Sequence, residues 1–72
     1  MDYAAYAALC RDLARRHDLD LEEVGRCYAR LWTRPYGSNP KPRFEVSYYE
    51  LDRRVVLEEA GRPARELPEK KA

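Results

Sequence analysis

Between Val24 and Phe44 the chain carries Arg26, Arg30, Arg34, Lys41 and Arg43 with no acidic residue among them. Tyr28, Trp32, Tyr36 and Phe44 are interleaved with these cations. Guanidinium and ammonium groups neutralise phosphates, and aromatic rings stack on bases, so the stretch has the chemistry of a nucleic-acid contact. Tyr, Trp and Arg are also the residue types enriched at protein–protein hot spots, which gives the same stretch a second reading as a protein-docking surface. A third reading needs no partner: arginine stems shield one face of an amphipathic element while the rings fill the core. Downstream, Tyr49, Arg53 and Arg54 add another exposed ring and a basic tip. The candidate partner-binding residues are therefore Arg26, Arg30, Arg34, Tyr36, Lys41, Arg43, Tyr49, Arg53 and Arg54.

Catalytic and metal chemistry find little to work with. Ser38 and Ser47 are the only serines and His17 the only histidine, and neither serine sits in a nucleophile elbow. The adjacent carboxylates Glu22–Glu23 and Glu58–Glu59 diverge, whether they lie on a helix or on a strand. Cys10, His17 and Cys27 lack metal-ligand spacing and a fourth ligand. The expectation is a non-enzyme without metal or cofactor, its cysteines small core residues in a reducing, cytoplasmic setting.

The elements that would position these residues follow from periodicity. Tyr6, Leu9, Cys10 and Leu13 fall on one helical face within an alanine-rich segment that Asp2 can cap, which predicts a helix over 3–16. Asp20 and Glu23 form a capping-box pair, and Leu21, Val24, Tyr28, Leu31 and Trp32 continue at helical spacing, which predicts a second helix over 21–33. With Gly25 in that helix, a neighbouring backbone is expected to approach closely. The short link at 17–19 would fold the two into an antiparallel helical hairpin with Arg26 and Arg30 on one face.

Pro35, Gly37, Asn39, Pro40 and Pro42 mark a connector. Beyond it, Phe44, Val46 and Tyr48 alternate with polar residues, predicting a β-hairpin over 43–51 and 54–59. The alternative is an all-α three-helix bundle with a helix over 48–60. The fold class read from the sequence is α+β, one domain over 1–61, followed by a charged, proline-containing, flexible tail over 62–72. Residues 62–67 are also long enough for a short edge strand.

A chain of 72 residues buries only roughly 60% of its unfolded surface, so a homodimer is as compatible with its size as a monomer. A net charge of +1 is not the basic excess of a generic polyanion binder, and no apolar run spans a bilayer. The functional expectation is a small binding module that regulates, inhibits or adapts a protein or nucleoprotein partner. Direct DNA or RNA binding and a structural homodimer are the alternatives.

Overall fold

The computed structural model describes residues 1–33 and 41–67. Its first element is the helix the sequence predicts, α1 (Tyr3–Arg16). Asp2 starts it, the carboxylate accepting a hydrogen bond from the Ala5 backbone N–H at 2.8 Å. Arg15 and Arg16 sit in its last turn, where cations complement the helix dipole. His17 caps the end, and Asp18 at φ 54° reverses the chain, a left-handed conformation that short polar side chains tolerate.

All the remaining regular structure is strand. β1 (Leu19–Gly25), β2 (Tyr28–Thr33), β3 (Phe44–Tyr49), β4 (Arg54–Glu59) and β5 (Arg65–Leu67) form one antiparallel sheet in chain order. A strand exposes alternate residues to opposite faces, and the register sorts them. Leu19 and Leu21 on β1, Ala29 and Leu31 on β2, Phe44, Val46 and Tyr48 on β3, and Val55 and Leu57 on β4 share the inner face. Against them α1 packs Tyr6, Cys10 and Leu13. Leu31, Val46 and Val55 are fully enclosed. The Tyr6 and Tyr48 rings stack at 5.4 Å, and the Tyr48 hydroxyl donates to the Met1 carbonyl at 3.1 Å, so a buried phenol keeps a hydrogen bond. The molecule is 19 Å through its shortest axis, the depth of one helix on one sheet.

The α+β class stands, but the helical hairpin does not: residues 19–33 form two strands, and α1 is the one helix among the described residues. Asp20 and Glu23 cap nothing, since Asp20 lies opposite Trp32 and Glu23 opposite Ala29 on neighbouring strands. The apolar residues that suggest one helical face are split by the hairpin, which turns Leu21 and Leu31 inward as cross-strand partners and sends Tyr28 and Trp32 to the opposite face. Gly25 marks a register shift at the end of β1, and a Cβ there would meet nothing within 4 Å. The expected close backbone approach is absent.

β3 and β4 pair as antiparallel neighbours, but over Phe44–Tyr49 and Arg54–Glu59 and as the middle of a five-stranded sheet, not as a separate β-hairpin over 43–51 and 54–59. The alternative helix over 48–60 is not formed, and Arg65–Leu67 adds the short edge strand. Among the described residues no helix is long and apolar enough to cross a membrane.

A core this small depends on each enclosed side chain. Leu31→Ala is expected to cost roughly 3 kcal/mol, against a total stability of about 4–11 kcal/mol for a chain of this length. Leu51→Ala, at a fully exposed position, should change it by less than about 0.5 kcal/mol. Chemical denaturation of the two variants measures both.

Candidate functional site

α1 covers one face of the sheet, and the register places a different set of side chains on the other. Asp20 and Glu22 come from β1, Tyr28, Arg30 and Trp32 from β2, Glu45, Ser47 and Tyr49 from β3, Arg54, Val56 and Glu58 from β4, and Glu66 from β5. They form cross-strand rows: Glu22, Arg30, Glu45 and Glu58 in one, and Tyr28, Ser47, Val56 and Glu66 in the next. Such rows are the unit through which a sheet is stabilised, and here they join rings to carboxylates. The Tyr28 hydroxyl donates to Glu45 Oε1 at 2.6 Å, and the Trp32 indole N–H donates to Glu22 Oε1 at 2.9 Å. Burial, followed by donation to Glu45, raises the Tyr28 phenol above its ordinary value.

The arginines singled out in the sequence do not form one stripe. Arg30 lies in the centre of the open face, 5.6 Å over the Tyr28 ring and 3.9 Å from Glu22. Arg54 begins β4, 4.8 Å over the Tyr49 ring and paired with Glu66 and Asp52. Arg43 reaches Glu59 at 2.6 Å at the far end of the sheet and covers the Phe44 ring, holding the Glu59 carboxyl below its usual range. Lys41 is exposed beside that end. Arg26 and Arg53 sit in the two turns at the near end. Arg26 and Arg30 thus share no helical face, which corrects the expected stripe. Arg34 and Tyr36 lie outside the described residues.

The near end gathers the exposed apolar groups. Val24, Tyr49 and Leu51 are the exposed large hydrophobics among the described residues, and all three lie at the β1–β2 and β3–β4 turn end. Glu50 ties the turns together, accepting from Arg26 Nε at 3.0 Å and from the Cys27 thiol at 3.2 Å, while Arg26 lies 4.4 Å over the Tyr3 ring. Arg53 adopts φ 50°, and its carbonyl accepts from the amino terminus at 2.7 Å. Hydrogen bonds from Cys27 and Arg26 hold the Glu50 carboxyl below its ordinary value, and donation to Glu50 raises the Cys27 thiol. The ion pair is thus intact above the usual carboxylate range and is lost as pH falls through the depressed value.

Sequence reasoning missed the acidic partners Glu22, Glu45, Glu50, Glu58, Glu59 and Glu66, and the apolar Val56. A signal for some of them exists: Glu45 shares the parity of Ser47 and Tyr49, and Glu58 that of Val56 and Arg54. What the sequence lacks is the register that sets these strands side by side.

The concavities are shallow or small. One of about 460 Å³ at the far end is open and lined by Lys41, Pro42, Glu45, Glu58, Glu59, Ala60, Gly61 and Arg62. Another of about 30 Å³ lies between α1 and β1, over Tyr6 and Cys10. Burial raises both the Tyr6 phenol and the Cys10 thiol, keeping them neutral. Among the described residues no group of three or more His, Cys, Asp or Glu is placed to hold a metal ion. Comparison with known proteins finds no matching family model, curated protein or solved structure.

The Cys27–Glu50 contact has a direct readout. Alkylation of Cys27 followed against pH should titrate above the ordinary thiol value of 9.0. In Glu50→Gln the profile should move to lower pH, because the carboxylate that opposes thiolate formation is gone and Arg26 is freed to favour it. Superimposable profiles would mean that the contact does not form in solution.

Proposed function

We propose that the protein is a non-catalytic binding module that regulates, inhibits or adapts a protein partner by docking it on the open face of the sheet. The observation that carries this reading is the sheet face that none of the described residues covers. Tyr28 and Val56 share one row with Tyr49 in the next, Trp32 stands beyond the charged row of Glu22, Arg30, Glu45 and Glu58, and exposed Val24 and Leu51 continue the surface at the turn end. Half-exposed rings ringed by charged groups are the composition of an interface centre and rim. A solvated sheet face is ordinarily polar, and three rings and a valine depart from that here.

Direct nucleic-acid binding draws less support. Arg26, Arg43 and Arg54 are each hydrogen-bonded to a carboxylate, which a phosphate would have to displace, and the Arg30 Nε, 3.9 Å from Glu22, is buried. Exposed Lys41 and Arg53 lie at opposite ends of the sheet. A structural homodimer through the same face is the other alternative, and sedimentation at micromolar concentration separates it from a monomeric module.

Surface variants test the docking reading. Immobilised wild-type protein should capture a discrete set of proteins from a native lysate. Tyr49→Glu with Val56→Glu should lose that set, and Arg15→Glu on the solvent side of α1 should keep it. Equal capture by all three would contradict docking on this face, and retention of labelled DNA or RNA that weakens log-linearly with salt would favour the nucleic-acid alternative.

A further inference from the structure

The charge of the open face points to the chemistry of its occupant. The acidic gap between Val24 and Phe44 suggests a basic surface, but the register reverses this. Among the described residues, Asp20, Glu22, Glu45, Glu58 and Glu66 share the face with Arg30 and Arg54, five carboxylates to two guanidinium groups. As far as the described residues go, the face is acidic and aromatic, although the chain as a whole carries +1.

Two features show what such a face accepts. The molecule already places its own cations between a ring and a carboxylate: Arg30 with Tyr28 and Glu22, and Arg54 with Tyr49 and Glu66. A ring face and an adjacent carboxylate together attract a guanidinium or ammonium group more strongly than either alone. The second feature is a like-charge cross-strand pair. Glu45 and Glu58 are direct cross-strand partners, roughly 5 Å apart at Cβ, an arrangement that destabilises a sheet. Among the described residues Glu58 makes no hydrogen bond or ion pair; Glu45 has Arg30 as its cross-strand partner on the other side, and Lys41 and Arg62 line the same concavity as both carboxylates. A cation set between them would relieve the repulsion as it binds.

We propose that the open face receives an arginine- or lysine-bearing segment of a protein partner, its cations seated between the Glu45–Glu58 pair and the neighbouring rings of Tyr28 and Trp32. This rests on the docking reading above and names the partner's chemistry. Negative potential over the face attracts such a segment and repels nucleic acid.

The test is an NMR titration of the full-length protein at low ionic strength. Three probes are used in turn: a short peptide of alternating arginine and serine, its glutamate–serine counterpart, and a single-stranded oligonucleotide. The arginine peptide should shift Tyr28, Arg30, Ser47 and Val56 amides, with binding that weakens as salt rises. In Glu45→Gln with Glu58→Gln, it should bind at least about fivefold more weakly. That variant should unfold at no lower temperature than wild type, because the repulsion is removed. Shifts on this face from the glutamate peptide or the oligonucleotide would overturn the cationic chemistry and leave a docking face. Shifts that depend on protein concentration without any probe would assign the face to a second copy instead. An arginine peptide that leaves the face unmoved, or binds the double variant as tightly, would overturn the proposal. If no probe moves the face and the lysate capture is also unaffected by Tyr49→Glu with Val56→Glu, the docking reading falls with it.

Discussion

One helix has to cover the only dry side of a five-stranded sheet. α1 is 14 residues, about 21 Å long, and its buried side chains Tyr6, Cys10 and Leu13 meet the apolar residues that β1 to β4 turn inward. No second layer is present among the described residues, so every strand must be apolar on one side and stable in water on the other. The alternation in β3 shows the demand most plainly: Phe44, Val46 and Tyr48 are buried, while Glu45, Ser47 and Tyr49 are not. A one-residue slip would invert both faces at once, so the same pattern that builds the core determines the composition of the open face.

How much of this the sequence displays depends on how local the signal is. α1 is legible because its cap, its alanines and its apolar face all lie within one segment. β3 and β4 are legible from the alternation at 44–48 and the β-branched pair Val55–Val56. Residues 19–33 mislead because the residue types at Asp20 and Glu23 mimic a capping box, and because Leu21 and Leu31 are compatible with both a helical face and a hairpin. In β2 the inward residues are Ala29 and Leu31, and the small alanine makes the two-residue period easy to overlook beside Tyr28 and Trp32. Tertiary pairing, not local preference, decides the outcome there.

The candidate site is less legible than the fold, for a physical reason. Arg26, Arg30, Arg43 and Arg54 are visible in the sequence as a cationic excess, but their partners are strand neighbours: Arg43 meets Glu59 sixteen residues away, and Arg26 meets Glu50 twenty-four residues away. Local composition therefore reads as basic where the folded surface reads as paired. Glu50 illustrates the consequence, since one carboxylate joins two turns, orients Arg26 over Tyr3 and keeps the Cys27 thiol protonated. The register pairs these cations with carboxylates from distant strands and turns, without altering a single residue.

The central claim, that α1 covers one sheet face and the described residues leave the other open, can be measured without knowing any partner. A soluble paramagnetic agent broadens signals in proportion to their access to solvent. The account predicts strong enhancement at the Tyr49 ring and clear enhancement at the Val56 methyl groups, with Leu31, Val46 and Val55 methyl groups protected in the same sample. Protection of Tyr49 and Val56 equal to that of the core methyl groups would contradict it, because the face would then be covered in the free protein.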